Sequence, residues 1–262
     1  MIVMRILNPR WAVLVFVLFV VLTVSAILVS RSRKEETISF GDRRYSAREI
    51  FSDLNVAKLA EAATKDRIGD IDRLISIGVN PNYIGKFDYT PIMWTIETGG
   101  LKGRQELLAH GARLDIQSHH SMSAMALAAG PASGKGFLEL ALKYGGNPNF
   151  AEAGSGDAPL FFAIRSGEAQ RVEMLIKAGA NVNARNNKQV TPLIECAVTA
   201  EYECALTLLR NGADYHLKDF TSSDFQTAME FDRHPPWWMP SYWWRKRVVE
   251  YIANANRCAG PN

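Results

Sequence analysis

The chain has 262 residues, of which 30 are lysine or arginine and 27 are acidic, a formal charge of +3, with an apolar share of 47%. So small a positive balance excludes nucleic-acid binding driven by net charge, and basic residues gather only at 31–34 and 245–247. The length leaves room for one domain of about 200 residues once an N-terminal segment is set aside.

That segment comes first in the chain. Trp11 to Val29 is a run of nineteen residues without a charge, and its only hydroxyl side chains are Thr23 and Ser25. At about 1.5 Å per residue it matches the hydrocarbon thickness of a bilayer, so residues 1–30 are predicted to hold one transmembrane helix that anchors the chain to a membrane. Val24-Ser25-Ala26 has the small residues of a signal-peptidase site, but the apolar run continues to Val29, which favours an uncleaved anchor. The flanking charges divide: Arg31, Arg33 and Lys34 favour a cytoplasmic domain, and the short N-tail, which looks like an export signal, favours the opposite side. Residues 31–52 follow as a charged linker in which Ser46 and Glu49 have the spacing of a helix-capping box, predicting a short helix that covers the domain.

From residue 53 to 220 the sequence repeats. Glycines at 78, 111, 145, 179 and 212 stand 33, 34, 34 and 33 residues apart. About 21 residues before each of the last four, a helix start is marked by Thr90-Pro91, Ser123, Ala158-Pro159 or Thr191-Pro192. After the glycines come short polar segments such as Asn80-Pro81-Asn82, Asn147-Pro148-Asn149 and Asn181-Val182-Asn183, suited to turns. The unit reads helix, helix, extended finger, and a period near 33 predicts a stacked helical array.

These residues resemble the ankyrin-repeat family. Residues 158–183 and 191–213 match its pattern best, residues 90–115 and 123–149 less well, and residues 57–82 fit as a first repeat. The resemblance implies an all-α solenoid of about five repeats plus caps, here preceded by the transmembrane helix, with a protein-binding role and no cofactor. Residues 221–262 form a C-terminal cap, in which Phe225 to Phe231 and Arg247 to Ala253 read as the helices of a modified sixth unit. Between them His234 to Trp244 contains four of the six tryptophans and three prolines.

No catalytic constellation stands out. Gly130-Pro-Ala-Ser-Gly-Lys-Gly136 looks like a phosphate-binding loop but has three residues where four are needed, and glycine where a hydroxyl should follow the lysine, so it reads as a lengthened inter-helix turn. His119 and His120 sit together at a finger without further ligands at metal spacing, and His110 reads as a helix C-terminal residue complementing the dipole. Cys196 and Cys204 fall on core-facing positions and read as packed thiols. The chain is therefore expected to be no enzyme, to hold no metal and to take no small-molecule substrate.

The family resemblance implies that partners bind the concave strip of finger tips and first-helix inner faces. Mapped by position, that strip carries Lys86, Phe87, Asp88, His119, His120, Glu152, Arg185, Asn187, Lys188, Lys218 and Phe220 at the tips, and Lys65, Glu97, Arg165 and Thr199 on the inner helices. Trp237, Trp238, Trp243 and Trp244 are a second candidate contact. The anchor and compact array look like short bacterial ankyrin proteins, some of which are similar to immunity proteins against type VI effectors, phospholipases included. That likeness implies a single-pass inner-membrane protein whose periplasmic array occludes an effector. A cytoplasm-facing scaffold and an accessory or stress-protection factor for a periplasmic enzyme are the alternatives.

Overall fold

A two-stranded hairpin precedes the helices. The structure, a computed structural model, describes residues 36–40, 42–118, 122–231 and 238–259, and Ile38–Asn262 form one compact unit distinct from Met1–Thr37. Strand β1 (Thr37–Phe40) pairs with β2 (Arg43–Ser46); two linking residues permit only an antiparallel pair. Ile38 is buried while Thr37 and Ser39 are exposed, the alternation a half-covered strand requires. Helix α1 (Ala47–Ile50) follows directly. Its first turn is fixed by Glu49, which accepts from the Ser46 N–H at 2.8 Å and the Ser46 hydroxyl at 3.1 Å, and Ile50 and Phe51 bury against the array.

Helix pairs then succeed one another: α2 (Leu54–Thr64) and α3 (Ile68–Ser76), α4 (Pro91–Thr98) and α5 (Leu101–Ala109), α6 (Ala124–Ala129) and α7 (Lys135–Lys143). Next come α8 (Pro159–Arg165) and α9 (Ala169–Lys177), α10 (Pro192–Val198) and α11 (Tyr202–Arg210), and finally α12 (Phe225–Phe231) and the longer α13 (Pro240–Ala259). First helices lie between neighbours on both sides and are buried almost all round, as Ala57, Leu59, Ala60, Ala62 and Ala63 of α2 illustrate. Second helices bury only a stripe, Ile71 and Leu74 on α3 or Val172 and Leu175 on α9, which is why their sequence is amphipathic. Pro91, Pro159 and Pro192 open their helices at the first position, where a missing N–H costs no hydrogen bond.

Each of the five periodic glycines ends a second helix in the left-handed region, with φ from +81° to +90°, and the space a side chain would occupy there is open. Backbone conformation therefore demands glycine at these sites. The fingers are tied by an asparagine ladder. Asn82 donates to the Gly111 carbonyl at 2.9 Å and accepts from the Arg113 N–H at 2.7 Å; Asn149 does the same with Gly179 and Asn181, and Asn183 with Gly212 and Asp214. The rung is missing where Asp115 replaces asparagine and turns to Arg113. A cleft of 270 Å³ lies there, lined by Leu114, Asp115, Gly145 and Asn147.

The segment after Gly130 is a single tight turn, Pro131–Ser133, gripped by two buried arginines. Arg104 donates to the Ser133 carbonyl at 3.2 Å with its guanidinium 4.9 Å over the Phe137 ring. Arg171, which is 1% exposed, donates to the Ala128 carbonyl at 3.0 Å.

Two parts of the expected fold class need correction. The fold is a helical repeat solenoid opened by a β-hairpin rather than all-α, because the stretch around Ile38 alternates with period two. The expected transmembrane helix is not supported either: no helix among the described residues is long and apolar enough to cross a membrane. The 20-residue α13 has the length but carries Arg245, Lys246, Arg247, Glu250 and Arg257, and Trp11 to Val29 lie outside the described residues.

Candidate functional site

The fingers and first helices of the last three units enclose a grooved surface. At its centre stands Arg165, the last residue of α8, held from two repeats. Its Nη1 is 2.8 Å from Asp157 Oδ2 and its Nε 2.6 Å from Glu195 Oε1. Burial works against the Arg165 charge, but the bonds to Glu195 and Asp157 outweigh it and raise the guanidinium pKa. Asp157 is buried and also accepts from Asn186 Nδ2 at 2.8 Å, so one carboxylate joins adjacent fingers.

Around this network lie two clefts, of 330 Å³ and 630 Å³, sharing Ile194, Val198 and Asp219 in their walls. Val198 is 71% exposed, as is Phe220 to 68%. The backbone N–H of Phe220 reaches the Lys188 carbonyl, and Arg185 donates to the Lys218 carbonyl at 2.9 Å. Asn187 donates through its side chain to the Gly154 carbonyl and through its backbone to that of Ser155. Arg185, Asn187, Lys188, Lys218 and Phe220 are therefore exposed and brought together on successive fingers stitched by backbone contacts.

The other expected contacts are scattered. Lys86 and Asp88 are exposed on the first finger, but Phe87 is half-buried, its ring 5.3 Å edge-on to Tyr45 of β2. Glu97 is exposed beside Tyr89; burial, together with Glu97, pushes the Tyr89 hydroxyl up to about 12. Trp238 and Trp243 are exposed, with Lys246 Nζ 5.8 Å from the Trp243 ring. Trp244 is half-buried under the Arg247 guanidinium. His119, His120 and Trp237 lie outside the described residues.

Glu152 corrects an expectation. It is 2% exposed and points inward, accepting from the Ser123 N–H at 3.1 Å and from the Ser123 hydroxyl, the group that caps α6. Polarity put it at a tip; its partner stands 29 residues away, beyond the reach of local pattern.

A family model described as ankyrin repeats, in three copies, matches residues 126–219. The chain carries ankyrin repeats. Its array is similar to the crystal structure of the Bcl-3 ankyrin repeat domain, with a TM-score of 0.61 at 21% identity over 70% of this chain and 84% of that one. It is similar also to an ankyrin repeat domain from Acinetobacter baumannii AYE, with a TM-score of 0.64 at 20% identity over 75% and 96%. At these identities the likeness is one of fold. In sequence, the E3 ubiquitin-protein ligase KEG of Arabidopsis thaliana is 30% identical over 183 residues, 64% of this chain but only 10% of the ligase.

Within the ankyrin array Cys196 and Cys204 are buried and free. Burial pushes the Cys204 thiol up to about 12 and that of Cys196 well above its usual value, which keeps both out of the reactive thiolate form.

Glu152 makes the array sensitive to pH. Burial, with a smaller contribution from Asp157, raises its carboxyl pKa despite the Ser123 bonds. A folded pKa above the unfolded one contributes stability that is complete below the ordinary carboxylate range and is lost as pH rises through the folded value. Glu152→Gln, which keeps an acceptor for Ser123 and removes the charge, is therefore expected to stabilise the array at pH 7 and to leave it unchanged near pH 4. Urea unfolding at the two pH values measures the difference.

Proposed function

We propose that the ankyrin array is a protein-binding module whose partner lies across the fingers and first helices of its last three units. The observation that carries this reading is the pair of joined clefts, with exposed Val198 in both walls and exposed Phe220 next in the chain to Asp219, which also lines both. Apolar side chains rimmed by Arg185, Lys188 and Lys218 match the composition of a protein interface, an apolar centre within a polar border. Arg165 sits in the wall with its charge already balanced by two carboxylates, so it orients a partner group without itself demanding a counter-ion.

Occlusion of a secreted antibacterial effector in the periplasm, a phospholipase included, is the specific case that the bacterial resemblance suggests. The mechanism would be steric, the clefts covering the effector's active site, and inhibition of such a hydrolase by the purified chain is its direct test. For the broader reading, the full chain is used to capture its partner, and affinities of variants are compared. Phe220→Ala and Val198→Lys are each expected to weaken capture by about 2 kcal/mol, roughly thirtyfold, with the circular dichroism spectrum unchanged. Full retention of affinity in both variants, with loss in Trp243→Ala, would move the interface to α13 and defeat the proposal.

A further inference from the structure

Away from the fingers, the second helices of the first two units bring three metal-ligating side chains together. Glu106 on α5 and His110, which caps the C-terminus of that helix, stand four residues apart and hence on one face, and Asp72 of α3 meets them from the neighbouring unit. His110 Nε2 is 3.0 Å from Asp72 Oδ1 and 3.4 Å from Glu106 Oε1, and the three donor atoms all lie within 4.8 Å of one another. A tetrahedral ion with bonds of about 2.0–2.2 Å sets its ligands roughly 3.4 Å apart, so donors at these separations need little movement to close on one ion.

We propose that Asp72, Glu106 and His110 bind a divalent transition-metal ion of the zinc class, with water completing the coordination. Two carboxylates balance the charge of the ion, and the imidazole nitrogen selects against calcium and magnesium, which take oxygen ligands. Nearby cations are engaged elsewhere: Arg67 and Arg73 both pair with Asp70, whereas among the described residues the ion pairs reaching Asp72 and Glu106 come from His110. The bound ion would clamp α3 to α5 and so brace the interface between the first two units. This inference is independent of the protein-binding face.

The test is calorimetric titration of the untagged, metal-free full chain at pH 7.5 with zinc chloride alone, paired with thermal unfolding. One zinc per chain with a dissociation constant in the micromolar range is expected, with a midpoint that rises when free zinc exceeds that constant. His110→Ala and Asp72→Asn should each weaken this binding at least tenfold, and the joint change His119→Ala with His120→Ala should leave it intact. Unfolding in the absence of zinc establishes that each variant is folded. The absence of saturable binding below 100 µM zinc, a value set here as roughly the weakest affinity meaningful for a three-ligand site, would overturn the proposal. So would binding that survives His110→Ala.

Discussion

Gly103→Ala is expected to destabilise the array by about 2 kcal/mol, although helix propensity alone predicts a gain of about 1 kcal/mol for the same change. Gly103 lies in the first turns of α5, where alanine is the better helix former. Its backbone, however, rests on the end of α2: a methyl group there would overlap the Ala63 carbonyl, with the rest of the Ala63 backbone close behind. The Gly103 N–H also donates to Asp66 Oδ1 at 2.7 Å, so the helix cannot retreat without breaking that bond. Backbone atoms do not rotate aside as a side chain would. Gly69, in the first turn of α3, has nothing within 4 Å of the same added methyl, and Gly69→Ala is expected to stabilise by roughly 0.5–1 kcal/mol. Urea unfolding of the two variants should give shifts of opposite sign. Hydrogen exchange should show the Gly103 loss concentrated in α2 to α5, since units in a stack contact only their neighbours.

Arg171→Ala is expected to cost about 3 kcal/mol, a fall in melting midpoint of roughly 6–12 °C. Arg171 reaches from α9 into the preceding unit, with Nη1 on the Ala128 carbonyl and 3.5 Å from Ser133 Oγ, and Nε 3.3 Å from Glu168 Oε2. Truncation removes the packed aliphatic stem, the bonds that close the Pro131–Ser133 turn and the counter-charge of Glu168. The Ala128 carbonyl keeps one donor, the Ser133 hydroxyl at 2.8 Å, which limits the damage. Arg171→Met retains the stem and should lose about 1.5 kcal/mol, the scale of the hydrogen bonds alone. Thermal unfolding ranks the two, and equal losses would show that the hydrogen bonds and the charge, not the packed stem, carry the whole effect.

Both expectations turn on residues to which the sequence pattern assigned no role, whereas Glu152 was read as a polar tip and His110 as a helix-end residue. What decides each of the four is a neighbour one unit away: Ala63 for Gly103, Ala128 for Arg171, Ser123 for Glu152, Asp72 for His110. By contrast, the prolines that open α4, α8 and α10 and the glycines that end the second helices act within a few residues of themselves. Their roles were legible because a missing N–H or a positive φ is a local requirement. At the candidate binding face, Phe220, Arg185 and Lys188 were legible as finger positions from the period alone. The clefts beside them, and the exposure of Val198, depend on how α8, α10 and the fingers lean together.

The sequence by itself determined the ankyrin array, because a unit repeated about every 33 residues carries its helix starts, stops and turns in its own local chemistry and needs only copies of itself to bury its apolar faces. The tertiary structure alone decided which polar residues are consumed by folding and which remain for binding. Stacking sets each residue beside others about 29 to 43 positions away, as in the pairs Ser123–Glu152 and Ala128–Arg171. At that distance burial and partner, not residue type, settle whether a charge is structural or available.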